Sequence, residues 1–177
     1  MTAPPEPIRG RRVTLRPFRE DELDLWHAAT QALGTGGFPA GPPTREALRL
    51  RITRSSSMWN AHELDLAIEV DGSVVGDVQT QVPHPLPPGV FQVGIGLFTA
   101  EDRGKGHGTE ALSLLVDWLF GTRGARSIQG GTLPSNTAMR AVFDRLGFVE
   151  REPILVFGER HLLYVIERDE WSRRGED

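Results

Sequence analysis

With 177 residues, the chain has the size of one domain, and such a length buries about 70% of its unfolded surface without disulfide or metal staples. It contains no cysteine, which excludes disulfides, thiolate metal sites and a cysteine nucleophile. A net charge of -4, from 20 basic against 24 acidic residues, without a long basic stripe, argues against a nucleic-acid partner.

Residues 1–8, rich in proline, read as a flexible N-terminal tail on a single domain spanning 1–177. Residues 11–17 alternate polar and apolar side chains and predict a first strand. Leu23, Trp26, Ala29 and Ala32 recur at helical spacing behind acidic Glu20, Asp21 and Glu22, predicting a helix over about 20–32 that the loop at 34–43 ends. Thr44 is placed to cap a second helix reaching about residue 57, with Leu48 and Ile52 one turn apart. Leu64, Leu66, Ile68 and Val70 alternate up to Asp71-Gly72, and residues 73–82 continue beyond that turn as a partner strand, the strongest hairpin signal in the chain. The prolines at 83–89 remove ladder donors and predict a stiff, exposed loop. Residues 90–99 read as the next strand, in which Gly94 and Gly96 mark a bulge or a close backbone approach.

Residues 101–111 then place Gly104, Gly106 and Gly108 at alternate positions directly before a helical pattern. Glycines leave the backbone N–H groups unhindered and free to adopt conformations that a Cβ forbids. A following helix adds unpaired donors and the positive end of its dipole, so the segment suits a bound phosphate. A tight turn without a ligand would use the same residues. A Walker A loop is not met, because Gly108 is followed by Thr109-Glu110, and the two-and-two glycine spacing differs from G-x-G-x-x-G. Lys105, the only lysine, sits inside the loop, but backbone amides rather than this side chain serve such binding.

After the loop, Leu112, Leu115, Val116 and Leu119 fall on one helical face, and Gly121 and Gly124 stop that helix. A short strand at 127–133 follows. Pro134-Ser135 opens a helix carrying Met139, Val142, Phe143 and Leu146, with Gly147 as its C-cap. A hairpin over 154–166 ends the pattern. Residues 1–7 lack the charged-then-apolar build of a signal peptide and no apolar run approaches a membrane span, so a soluble cytoplasmic protein without a membrane partner is expected.

Arg103, Gly106 and Gly108, continued by Thr109-Glu110-Ala111, resemble the acyl-CoA pyrophosphate loop of the GCN5-related N-acetyltransferases (GNAT), whose signature is Gln or Arg, two residues, Gly, one residue, then Gly or Ala. Asn136-Thr137-Ala138-Met139 with Leu146-Gly147-Phe148 resembles the family's helix from a coenzyme-contacting Asn to a Leu-Gly-Phe ending, and the element order matches over nearly the whole chain. Glu167-Arg168-Asp169-Glu170-Trp171, after a tyrosine-bearing strand, resembles the RimJ/RimL-like branch that acetylates ribosomal-protein N-termini. The resemblance implies an α+β GNAT fold, a central mixed and mostly antiparallel sheet of about six to seven strands flanked by about four helices. It implies an N-acetyltransferase that moves an acetyl group from acetyl-CoA directly to a primary amine, on a protein N-terminus or a small molecule, through a ternary complex. No metal is implied, and a homodimer is allowed, dimers being frequent among such proteins.

By the same resemblance, backbone groups at Arg103, Gly104, Lys105, Gly106, His107, Gly108 and Thr109 hold the CoA pyrophosphate. Leu97, Phe98 and Thr99 face the pantetheine arm and the thioester oxygen, in a strand splayed from its neighbour at Gly94 and Gly96, and Asn136 contacts the coenzyme. The chain departs from the family at the general acid: Phe143 stands at the position of a tyrosine and Met139 at that of the branch's serine, and neither donates a proton. Either the thiolate, with a thiol pKa near ~8.5, leaves unaided, or the domain binds acyl-CoA as a non-catalytic sensor. Candidate bases are Asp77, which shares a strand face with Gln79 and Gln81, and His84, whose type titrates near ~6.5; a solvent-facing stripe and a surface loop would use the same residues. Glu110 reads as a first-turn charge that caps its helix locally. The loops at 34–43 and 83–89 carry no readable code for the acceptor.

Overall fold

The computed structural model describes residues 6–37, 41–57, 63–81 and 86–174. Strand β1 (Ile8–Arg9) turns at Gly10 into β2 (Val13–Pro17), and a 3-10 turn at Glu20–Glu22 leads into α1 (Leu23–Gly37) and α2 (Arg45–Ser57). A meander of β3 (Leu64–Val70), β4 (Ser73–Gln81) and β5 (Val90–Leu97) follows, then α3 (His107–Thr122), β6 (Ser127–Thr132), α4 (Thr137–Arg145), β7 (Val149–Val156), β8 (Glu159–Glu167) and α5 (Arg168–Arg173). The strands form one sheet in the order β1-β2-β3-β4-β5-β6-β8-β7. Every neighbouring pair is antiparallel except β5 with β6.

The sheet thus has eight strands and five α-helices accompany it, one of each more than the periodicity predicts. The additions are β1, two residues long, and α5, six residues long, both too short to show a period. Ile8, expected within the tail, pairs with Leu15. Helix α1 runs on to Gly37, through part of the expected loop at 34–43, because glycine is only a weak prior against helix and context overrides it. Gly121 likewise lies inside α3, and the left-handed residue beyond its end is Gly124.

Alternation along the strands sorts the core into two layers. Leu64, Leu66, Ile68, Val78 and Val93 face α3 and α4, where Leu112, Leu115, Val116, Leu119 and Phe143 complete the main core. Ala67 points the other way and packs with Phe18, Leu23, Trp26, Leu48 and Ile52 under α1 and α2. There the Phe18 and Trp26 rings stack at 4.0 Å, and Thr44 caps α2 by accepting the Ala47 N–H at 3.2 Å.

The Asp71-Gly72 turn has both residues at positive φ, 50° and 80°, the pairing a two-residue hairpin needs. Register shifts fall nearby, between Ile68 and Glu69 opposite Gly76 and Val74, and between Arg151 and Ile154 of β7, and not at Gly94 and Gly96. Those two stay in register with Gln79 and Asp77, so their role is room rather than a bulge. At Gly76 a Cβ would collide with the Gly96 carbonyl oxygen and stand 3.1 Å from the Leu97 Cα, both backbone atoms that side-chain repacking cannot relieve. Gly76→Ala is therefore expected to cost about 3 kcal/mol and lower Tm by about 6–12 °C. Gly131→Ala, where the nearest atom lies 3.8 Å away, is expected to cost under about 1 kcal/mol in the same urea and thermal unfolding experiments.

Candidate functional site

The end of β5 winds into the glycine loop through a side-chain-held turn. The Thr99 hydroxyl donates to Asp102 Oδ2 at 2.6 Å, and the Asp102 and Arg103 amides donate to the Thr99 and Ala100 carbonyls. Gly104 and Gly106 then adopt φ of 73° and 83°, the left-handed region that glycine enters without strain, and Gly106 forms the N-cap of α3. The amides of residues 104–109 donate to no acceptor among the described residues, leaving a run of N–H groups at a helix N-terminus. Gly108 serves packing: a Cβ there would lie 3.3 Å from Ile95 Cδ1, so its absence lets α3 close onto β5. His107 opens the helix with Nδ1 buried and unpartnered among the described residues.

Glu110 does not cap its own helix. Its Oε1 accepts the Arg12 and Val13 amides at 2.8 and 3.2 Å, and Oε2 accepts Arg12 Nε at 3.2 Å. Arg12 Nη1 in turn donates to the Lys105 carbonyl at 2.8 Å. Desolvation pushes the Glu110 carboxyl up, but the bonds from Arg12 and Val13 outweigh it and hold it below the usual carboxylate range. The first turn of α3 and the loop are thereby bolted to the β1–β2 hairpin. A groove of about 470 Å³ opens beside this junction, lined by Arg11, Arg12, Gly106, Thr109, Ser113 and Arg145 among others.

Strands β5 and β6 pair only at Val90↔Ser127, Phe91↔Ile128 and Gln92↔Gln129, although β5 continues to Leu97 and β6 to Thr132. Beyond Gln92 their facing edges are unpaired, which is the splay expected at Gly94 and Gly96. Leu97 is half-buried at the end of β5; Phe98 packs against the Phe18 and Trp26 cluster. The Phe98 amide is already engaged, donating to the Val75 carbonyl at 2.9 Å, so that N–H does not face the gap.

Phe143 is fully buried over Gly130, where a Cβ would overlap its ring and stand 3.3 Å from the Val93 carbonyl. It stacks on Tyr164 at 4.8 Å and tilts against Phe148 at 5.0 Å. Met139 packs on the same core, and its amide donates to Asn136 Oδ1 at 3.1 Å, so the Asn136 side chain caps α4. The hydroxyl of Tyr164, the only tyrosine, accepts from Arg140 Nε at 3.4 Å.

On the opposite sheet face, Asp77 sits between Ala67 and Gly96, and Asp65 pairs with Gln79, which pairs with Gly94. Asp77 and Asp65 are only 7% and 8% exposed, so Asp77 belongs to no solvent-facing stripe. Burial, then the nearby Asp65 charge, pushes Asp77 up to about 7 against the opposing pull of Arg51 and Trp26. Burial likewise lifts Asp65 to about 6, although Arg51 Nη1 lies 3.6 Å from its Oδ1. Arg16, in the same row as Ala67 and Asp77, is committed elsewhere: its guanidinium bonds Glu22 at 2.7 and 2.9 Å and Glu69 at 2.7 Å. His84 lies outside the described residues. Among the described residues, no group of three or more His, Asp or Glu stands ready for a metal ion, and no helix is long and apolar enough to cross a membrane.

Because both aspartates have folded pKa values above the ~3.9 of an unfolded aspartate, their contribution to stability is fully present below pH ~4 and is lost as pH rises through about 6 to 7. Asp77→Asn is accordingly expected to unfold at higher denaturant than the parent at pH 8, by about 1–3 kcal/mol, with the advantage vanishing toward pH 4.

A family model described as "Acetyltransferase (GNAT) domain" matches residues 12–149. Among solved structures, RimJ of Mycobacterium smegmatis in complex with CoA-disulfide superposes with a TM-score of 0.75 at 21% identity, covering 98% of each chain. The aminoglycoside acetyltransferase AAC(6')-Ib with ribostamycin and coenzyme A gives 0.76 at 22% identity, covering 92% of this chain and 97% of that one. A GNAT-family acetyltransferase from Bacillus anthracis gives 0.75 at 17% identity over 93% of this chain and 100% of the other. No curated protein matches. Identities this low speak for the fold alone, but the family model spans most of the chain and takes in the glycine loop, the splayed strands and the α4 helix: the chain belongs to the GNAT acetyltransferase family.

Proposed function

We propose that this chain is an acetyl-CoA-dependent N-acetyltransferase that acetylates a primary amine within a ternary complex, with Asp77 as the base. The observation that carries the reading is the succession of two unpaired backbone surfaces. The β5 edge left open beyond Gln92 leads, through the internally bonded turn at 98–103, to the free amides of residues 104–109. An extended amide-bearing arm suits the first, and a pyrophosphate suits the second. The arginine-lined groove beside Gly106 adds attraction for a ligand rich in phosphate. RimJ and AAC(6')-Ib, which share the fold, were solved with CoA-disulfide and with coenzyme A.

Asp77, on β4, stands opposite Gly96 of β5, two residues before Phe98. In its charged form it takes a proton from the incoming ammonium and leaves a neutral amine. The nitrogen attacks the thioester carbonyl carbon, the C–S bond breaks, and the nitrogen's remaining surplus proton neutralises the departing thiolate. Neither Phe143 nor Met139 contributes to that last step, and a thiol of pKa near ~8.5 is a fair leaving group unaided. A value of about 7 for Asp77 suits a base at neutral pH, since proton transfer is most effective when the catalytic pKa lies near the working pH.

Calorimetry is expected to show acetyl-CoA binding, with Tm raised by roughly 5–10 °C at about 100-fold excess over Kd; Gly106→Val is expected to abolish both while leaving the circular dichroism unchanged. No binding at millimolar acetyl-CoA would contradict the reading. Amine-dependent thiol release is expected to rise with pH through a limb near 7, and Asp77→Asn to lose that limb together with about 10²–10⁴ in kcat. An unchanged pH profile in Asp77→Asn would remove Asp77 from the role of base, and acetyl-CoA binding without thiol release for any amine would favour a sensor.

A further inference from the structure

Beside the apolar cluster around Ala67, the sheet face beneath α1 and α2 carries buried polar side chains. Three adjoining rows cross it: Ala67, Asp77 and Gly96; then Asp65, Gln79 and Gly94; then Gln92 with Gln129. The two glycines make room for the polar side chains of β4. Asp77 Oδ1 and Gln79 Nε2 lie over β5, each 3.1 Å from where a Cβ at Gly96 or Gly94 would stand. Gln129 Nε2 donates to Gln92 Oε1 at 3.4 Å, at the point where the two strands part.

Among the described residues, the two aspartates of this face have few cationic partners. Asp77 and Asp65 are diagonal cross-strand neighbours, with Cα atoms about 7–8 Å apart in such a register. The groups that face them are Arg51 and Arg54 of α2, Glu63 beside β3, and Trp26 of α1. Arg54 is paired with Glu63 at 2.9 Å and Arg16 with Glu22 and Glu69, which leaves Arg51 opposite two carboxylates. Trp26, 1% exposed, turns its indole N–H toward Asp77 and meets no acceptor at hydrogen-bond geometry among the described residues. Burying one uncompensated carboxylate is costly, and a buried donor left unpaired beside it adds to that cost. A cationic ligand entering beside Gly94 and Gly96 would relieve the first of these costs.

We infer that the acceptor is a small molecule carrying at least two ammonium groups, the reacting amine against Asp77 beside Gly96 and a second cation against Asp65, with Gln79, Gln92 and Gln129 bonding its remaining polar groups. This rests on the acetyltransferase reading above and names its substrate class. A peptide N-terminus supplies a single ammonium at a fixed place and leaves Asp65 and Asp77 sharing one partner. Fold similarity to RimJ does not decide the matter, because function resides in the site rather than the fold. Entry of a second cation draws both aspartates into their charged forms, so binding releases protons and strengthens as pH rises between about 5.5 and 7.5.

The test is calorimetric titration of the full chain with spermidine, with butylamine and with a neutral tripeptide amide, each with CoA present and absent, in buffers of different ionisation enthalpy. Spermidine is expected to bind at least about tenfold tighter than butylamine, with proton release, and Asp65→Asn to bring that ratio close to one. Arg51→Gln, which removes the competing cation, is expected to tighten spermidine binding several-fold, a direction that simple loss of structure would not give. Equal affinities for spermidine and butylamine, tighter binding of the tripeptide, or an unchanged ratio in Asp65→Asn would overturn the inference. Spermidine binding as expected in a chain that binds no CoA would support the dication site while overturning the transferase reading, so the two fail separately.

Discussion

Parallel pairing between β5 and β6 stops at Gln92 and Gln129 while both strands continue, and the backbone groups this leaves on facing edges need partners of another kind. The parting is held by what fills the space around it. On the core face the Phe143 ring lies over Gly130 with Tyr164 and Phe148 packed against it, so β6 cannot slide toward β5 without displacing a three-ring stack. On the far side β5 stays in register with β4 throughout, which fixes the direction in which its free edge points. The loop at the end of that edge is fixed by Glu110, which ties α3 and Arg12 to the β1–β2 hairpin. Gap and loop are thus two unpaired backbone surfaces joined by the short turn at 98–103. The rest of the sheet serves as the frame that keeps them aligned.

Two sets of carboxylates show how environment divides otherwise similar groups. Glu110, bonded by two amides and a guanidinium, is held below its ordinary range despite its desolvation. Asp65 and Asp77 are more deeply buried and lie near each other, with Arg51 acting on both and Arg54 on Asp65, and they move the opposite way. Bonds to the charged form decide the first case and desolvation the second. The first is a structural anchor whose charge is satisfied within the fold, whereas the second has no comparable set of bonds to its charged form among the described residues.

Much of this was legible in the sequence. Gly104 and Gly106 take up positive φ because no other residue does so freely, and such positions announce themselves as glycine. The α3 and α4 stripes and the β3–β4 hairpin follow from periodicity and turn chemistry. Alternation also placed Asp77 and Gln79 on one face. What alternation does not reveal is burial, since Asp77 is covered by α1 and α2, whose residues lie far away in sequence. For the same reason Glu110 looked like a local cap: its acceptor role is completed by residues 12 and 13, 97 or more positions earlier. Gly94 and Gly96 signalled that something was unusual in β5, but a glycine letter does not distinguish a bulge from room made for neighbouring side chains. In this part of the sheet the bulge lies in β4, where Val75 is the extra residue between Val74 and Gly76. Short elements such as β1 and α5 escape any reading based on period.

The central claim is that the free edge of β5 and the amides of the glycine loop together hold acetyl-CoA. Amide hydrogen exchange, followed residue by residue with and without acetyl-CoA, tests it most directly. The account predicts new protection confined to β5 beyond Gln92 and to residues 104–109, with the β3–β4 ladder unchanged. Protection that leaves those two segments untouched, or that appears only elsewhere on the molecule, would contradict it.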